Sequence, residues 1–317
     1  MQCPNKCNSK PYIHGRYGKQ NTPRYECPRC GKTFSQSKKT CPALNIPAET
    51  VYRILSCLTE GSGVRATARI NNVNPETVLK VLRIAGIKAS MILDRELQNI
   101  KADQISVDEC WTFVQKKNRR VTANDHPDHG DQWVFLAITE DKLIPAYALG
   151  KRDPHTAYQF ISELQNRITN RFQLTSDGWR VYQSTIEDVF GSGIDYSQEI
   201  KDYGQMESSR ERYSPSDLKA VERKAISGNP NLELATTAYI ERANRTLRTR
   251  MRRLTRLASG FSKKKAYLAA ALALHIFAYN FSTVHGSIKC TPAQKADLTD
   301  HRLDVARFVC QLKSIAR

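Results

Sequence analysis

The run WVFLAIT at residues 133–139 limits the fold more than any other stretch of this chain. A strand that is apolar at every position must be covered on both faces, so it belongs at the centre of a sheet. Upstream of it, Ile105, Val107, Trp111 and Phe113 alternate with Ser106, Asp108, Cys110 and Thr112. That two-residue period is the mark of a half-buried strand. Asp108 therefore points away from the main apolar set. Glu109 should face the other side from Asp108 and stands second to it as a functional carboxylate. After the short Glu140–Lys142 connection, residues 143–149 form a third strand, and Pro145 puts that strand at a sheet edge.

The elements that follow alternate. Asp153 and Pro154 cap a helix with Ala157, Ile161, Leu164 and Ile168 inward. A strand over 172–176 ends at Asp177. Gly178 and Trp179 open another helix, with Tyr182, Ile186 and Val189 inward. Residues 194–200 make a fifth strand. Residues 208–231, polar and holding Pro215, Gly228 and Pro230, read as an exposed insertion. Residues 239–256 then form a helix, and 266–281 a buried one. Three antiparallel strands with the third at an edge, then helix, strand and helix, is the order of a ribonuclease-H-like α/β domain, a mixed sheet flanked by helices. It spans 104–282 and is followed by a basic tail at 283–317. In such a sheet the first and fourth strands lie side by side and parallel, so Asp108 and Asp177 converge.

Two smaller units precede it. Residues 1–42 carry Cys3, Cys7, Cys27 and Cys30 as C-x3-C and C-x2-C pairs separated by a hairpin's length of chain. Four thiolates at that spacing suit a tetrahedral Zn²⁺ site, the zinc-ribbon arrangement. Residues 43–90 read as a helix-turn-helix: a short helix at 64–70, a turn, and a second helix opened by Asn74 and Pro75 and running to Ala85. Thr77, Lys80 and Arg83 occupy its exposed side, where base edges and phosphates would be read. Residues 91–103 act as a linker.

The charge fits these units. The 317 residues carry a formal net charge of +18. A polyanionic partner follows, nucleic acid before an acidic membrane. No apolar run is long enough to span a bilayer. The polar N-terminus and clustered thiols argue for a reducing cytoplasm, next to the nucleoid. Within residues 239–256, Glu241 is a lone acid among arginines: residues 241–265 hold ten Lys/Arg and one carboxylate. Ile240, Ala243, Leu247, Met251 and Leu254 form one apolar face, and Glu241, Arg245, Arg248 and Arg252 a flanking stripe. On its own this is a solvated basic helix. With Asp108 and Asp177 it supplies a third carboxylate, and three carboxylates suit the two hard cations, Mg²⁺ or Mn²⁺, of phosphodiester chemistry. Arg245, Arg248 and Arg252 would then contact phosphates. His126 and His129 sit in a polar hairpin loop, and His275 lies on the apolar helix; both are read as structural.

The stretches SVDECWTFV, DQWVFLAI, LTSDGWRVY, YIERANRTLRTRMRRLTR and YNFSTVHGSIKCTPA resemble the transposases of the insertion sequence one family. The resemblance covers nearly the whole chain. It implies an Asp-Asp-Glu active site formed by Asp108, Asp177 and Glu241. It also implies metal-dependent transesterification of the element's 3′ ends into target DNA, on double-stranded DNA; because two ends must be paired, a dimer or larger assembly on DNA is expected. A nuclease of the same fold and a DNA-binding regulator are the competing readings.

Overall fold

The computed structural model describes residues 3–17, 22–35, 40–41, 46–203, 218–255, 258–305 and 308. The chain begins with a small antiparallel sheet, β1 (Tyr12–Tyr17), β2 (Thr22–Glu26) and β3 (Thr33–Ser35), in that order. Two-residue strands β4 (Thr40–Cys41) and β5 (Ile46–Pro47) pair antiparallel. They lead into α1 (Ala48–Thr59), α2 (Val64–Ile70) and α3 (Pro75–Glu96). The α2–α3 turn needs a left-handed residue, and Asn72 supplies it at φ 50. The Asn74 side chain accepts from Glu76 N at 2.8 Å and caps α3, with Pro75 at the first helical position. The helix expected to stop at Ala85 runs on to Glu96. Its buried stripe continues through Gly86, Ala89, Ile92 and Leu93, and tertiary packing carries the helix past its glycine.

The main sheet has six strands: β6 (Gln104–Val114), β7 (Gly130–Thr139), β8 (Tyr147–Gly150), β9 (Gln173–Ser176), β10 (Asp195–Tyr203) and β11 (Leu218–Ser227). In space the order is β11-β10-β9-β6-β7-β8. β6, β7 and β8 are antiparallel, and β9 is parallel to both β6 and β10. β7 is central among the antiparallel strands, as its apolar run requires. β8 is the edge strand, but it starts after Pro145 rather than at Leu143. Instead Asn280 serves that stretch: Ile144 N donates to its Oδ1 at 3.0 Å, and its Nδ2 donates to Ile144 O at 2.9 Å.

Helices cover both faces. α4 (Pro154–Arg167) and α5 (Arg180–Phe190) bury Ile105, Val107, Phe135, Ala137 and Leu174 on one side. On the other, α1, α3, α6 (Ala238–Arg250) and α7 (Lys265–Phe277) pack on Cys110, Val114, Val134, Leu136 and Ile138. Trp111 and Phe113 are only half-buried, so β6 does not keep one apolar face from end to end. α3 crosses α7 at Gly86, where a Cβ would stand 2.4 Å from Ala270 Cα. The last described elements, α8 (Pro292–Lys295) and Phe308, pack on this second core as well.

Two further expectations change. Residues 218–227, placed in an exposed insertion, form strand β11 against β10; residues 208–217, like residues 309–317 of the tail, lie outside the described residues. The helix of residues 239–256 ends at Arg250, Met251 turns to extended backbone, and Arg252–Leu254 make a separate 3-10 turn. Its apolar face is as expected: Ile240, Ala243, Leu247, Met251 and Leu254 are all buried.

Candidate active site

The β6–β9 ladder sets the site. Its pairs run Gln104↔Gln173, Ile105↔Leu174 and Ser106↔Thr175. Two residues further along both chains, the same register brings Asp108 opposite Asp177. Carboxylate oxygens of Asp108, Glu109 and Asp177 all lie within 4.8 Å of one another. Glu109 lies on the other face of β6 from Asp108, as expected, yet its carboxylate is part of the cluster. The ladder stops at Ser106 and Thr175, so beyond it no backbone pairing separates the two faces of the sheet. Carboxylates from both faces meet in that gap. The signal in the sequence was an acid in the same alternating set as Ile105 and Val107.

Each member is held differently. Asp108 is half-buried and accepts from Asn244 Nδ2 of α6 at 2.9 Å. Asp177 Oδ1 accepts from Trp179 N at 3.0 Å, which turns the chain into α5. Glu109 is buried, with Oε1 paired to Arg152 and Oε2 accepting from the Tyr182 hydroxyl at 3.0 Å. Burial is the main cause that lifts Asp108 to about 6, and the charge of Asp177 adds to it. Burial and then Asp177 lift Glu109 to about 7, against the pull of Arg152.

Glu241 is not drawn into that group. It stands in the first turn of α6, bonded to Lys201 of β10 and accepting from Thr237 Oγ1 at 3.0 Å. Lys201 also lies 3.4 Å from buried Glu199, which accepts from Thr237 N and Oγ1 at 2.8 and 2.7 Å. Glu241 nonetheless lines the same cleft as Asp108. The cleft has a volume of about 720 Å³, and Asn244, Arg245, Arg248 and Arg252 line it too. Gly61, in the α1–α2 turn at φ 89, forms part of the wall and is packed against Thr249 and Arg250. Arg248 Nε is 3.0 Å from Cys110 Sγ.

The other expected residues lie apart from this cleft. Lys80 and Arg83 are exposed on α3 and Thr77 is half-buried. The Sγ atoms of Cys3, Cys7, Cys27 and Cys30 lie within 4.8 Å of one another, and all four thiols are free of disulfides. Gly31 at φ 66 makes the second turn, where Gly31 N donates to Cys27 O. The Ser9 hydroxyl, 3.1 Å from Cys27 Sγ, lowers that thiol to about 6. His126 and His129 join no metal-type cluster among the described residues; Asp125 ties their loop to Lys116 and Thr122. His275 is a core residue whose burial lowers it to about 4.

The arrangement is a mixed sheet flanked by helices with acidic groups at the end of its parallel pair. No family model and no curated protein matches the sequence. Among solved structures, the chain is similar to a piggyBac transposase synaptic complex with hairpin DNA, at 10% identity and a TM-score of 0.40 over 84% of this chain and 69% of that one. It is also similar to a Mos1 transposase paired-end complex with the left transposon end, at 12% identity and a TM-score of 0.20 over 48% of this chain and 58% of that one. Among the described residues, no helix is long and apolar enough to cross a membrane.

Proposed function

We propose that the chain is a DNA transposase, a metal-dependent enzyme that binds the ends of its insertion sequence and joins their 3′ ends to target DNA. The observation that carries this reading is the juxtaposition of Asp108 and Asp177 across a parallel strand pair, below a cleft walled by arginines. The strand order agrees with a ribonuclease-H-like sheet, and SVDE, SDGW and YIER supply the residues that the family resemblance requires.

Asp108, Asp177 and Glu241 are the proposed catalytic carboxylates and the proposed ligands of Mg²⁺ or Mn²⁺. The donor set fits hard cations: clustered carboxylate oxygens, two of them raised in pKa by burial and mutual repulsion, beside the buried Asn244 Oδ1, which has no hydrogen-bond partner. Such ions, when bound, activate the attacking oxygen and stabilise the leaving one. The chain's own residues orient and clamp. Asn244 fixes the Asp108 carboxylate. Arg245, Arg248 and Arg252 place positive charge where a phosphodiester would lie. Glu241 joins the other carboxylates only by leaving its ion pair with Lys201.

Zn²⁺ is the proposed occupant of the four-thiol cluster, where it would supply folding energy that three short strands lack. Thr77, Lys80 and Arg83 are the proposed contacts of a helix-turn-helix with element-end DNA. Two ends must be brought together, so a homodimer or larger assembly on DNA follows.

The test is a strand-transfer assay with element-end DNA, target DNA and Mg²⁺. Joining is expected with the wild-type chain and is expected to vanish in Asp177→Asn. Hydrolysis without joining would mark a nuclease instead. Specific binding with no metal-dependent cleavage would mark a regulator.

A further inference from the structure

The carboxylate that completes the described cluster is Glu109, and its surroundings hold it in one orientation. A buried carboxylate is costly unless it is paired and hydrogen-bonded. Glu109 is 8% exposed. Arg152 donates to its Oε1 from Nε at 2.6 Å and from Nη2 at 2.5 Å, and Tyr182 donates to Oε2. Arg152 is itself fixed between two indoles, 5.0 Å from the Trp133 ring and 4.6 Å from that of Trp179. Oε1 takes both Arg152 bonds, while Oε2 accepts only from Tyr182 and keeps lone-pair capacity for another partner.

Charge gives a second constraint. Asp108, Glu109 and Asp177 carry three formal negative charges. Among the described residues, Arg152 is the one cation in an ion pair with any of them. The balance is two negative charges, the complement of one divalent cation. A third observation does not depend on the acids. Asn244 is 8% exposed, and its Oδ1 is buried without a hydrogen-bond partner, on the same amide that donates to Asp108. A buried carbonyl oxygen needs a donor or a cation.

We infer that Glu109 is a metal ligand: with Asp108 and Asp177, and with Asn244 Oδ1 beside them, it holds one divalent cation in the DNA-free chain before Glu241 is engaged. This inference rests on the dication site of the proposed function, but not on strand transfer. Glu241 has no part in this first binding, because its carboxylate is committed to Lys201 and Thr237.

The experiment is Mn²⁺ binding to the zinc-loaded, DNA-free full chain, followed by calorimetry and by water-proton relaxation. Wild type is expected to bind one Mn²⁺. Glu109→Gln is expected to weaken its Kd at least tenfold, as Asp177→Asn does, while Glu241→Gln stays within twofold of wild type. A Glu109→Gln variant that binds within threefold of wild type would overturn the inference. So would a Glu241→Gln variant weakened as much as Glu109→Gln. If Glu109→Gln does not fold, as judged by its melt in EDTA, Glu109→Asp keeps the charge and retracts the carboxylate by one methylene. It is expected to weaken binding at least threefold, and unchanged affinity would overturn the inference. A chain that binds Mn²⁺ in this pattern yet joins no DNA would refute the transposase reading and leave the Glu109 assignment standing.

Discussion

Asp108 and Glu109 hold their protons more tightly in the folded chain than ordinary carboxyls do, at about 6 and about 7 against 3.8 and 4.5. For an acid raised on folding, the stability tied to its proton is complete below the unfolded value and is lost as pH rises through the folded one. The metal-free protein is therefore expected to lose thermal stability between about pH 4 and pH 7. Melting curves in EDTA across that range check this; Asp108→Asn should flatten the fall, and added Mn²⁺ should reverse it above pH 7. A melting temperature in EDTA that does not fall across this window in wild type would contradict it. At this scale the sequence was partly legible. Asp108 and Asp177 could be paired because parallel register carries one residue to its neighbour without ambiguity. Glu109 stood only second because strand alternation assigns adjacent residues to opposite faces; the alternation holds, but the two faces meet where the β6–β9 ladder stops at Ser106. The Lys201–Glu241 pair was not legible, since it joins β10 to α6 across an interval that no local pattern spans.

Elements obeyed their local signals where one interaction decided them and departed where packing did. Asn74 and Asp153 cap their helices as their sequences indicate. α3 ignores Gly86 because the stripe beyond it is buried. Gly86 also yields a prediction whose sign depends on that packing. In an exposed helix Gly→Ala stabilises by about 1 kcal/mol. Here the new Cβ would stand 2.4 Å from Ala270 Cα, a backbone atom that cannot swing aside. Gly86→Ala is expected to destabilise by about 1–3 kcal/mol, read by denaturant unfolding. An unchanged or raised midpoint would show that α3 and α7 do not cross this closely. Asn280→Leu is expected to cost at least about 2 kcal/mol, because it strands both the N–H and the C=O of buried Ile144. The same measurement would catch an error there, since a midpoint unchanged in Asn280→Leu would mean that the β7–β8 connection is satisfied elsewhere.

For the whole molecule, the net charge of +18 and the arginine-walled cleft set the expected response to salt. DNA affinity should fall steeply as ionic strength rises, and Arg245→Ala should lower the slope of log K against log salt by about 1. A slope unchanged in Arg245→Ala would take that residue off the phosphate path. Chelating zinc is expected to disorder the β1–β3 sheet while the six-stranded sheet survives. Circular dichroism and cysteine alkylation of Cys3, Cys7, Cys27 and Cys30 report it; loss of the whole fold on chelation would contradict it.

The crossing of α3 over α7 also decides how far this protein can be taken apart. A cut near residue 90 falls inside α3, a single 22-residue helix, and would split a core that runs from Val51 to Phe308. A hybrid that received a foreign helical reader there would inherit a ragged wound rather than a clean socket. Among the described residues, the four-cysteine sheet contributes no side chain to that core, so it is the part an engineer could exchange as a cartridge. Specificity housed in α3 would have to be rewritten in place, one outward-facing residue at a time.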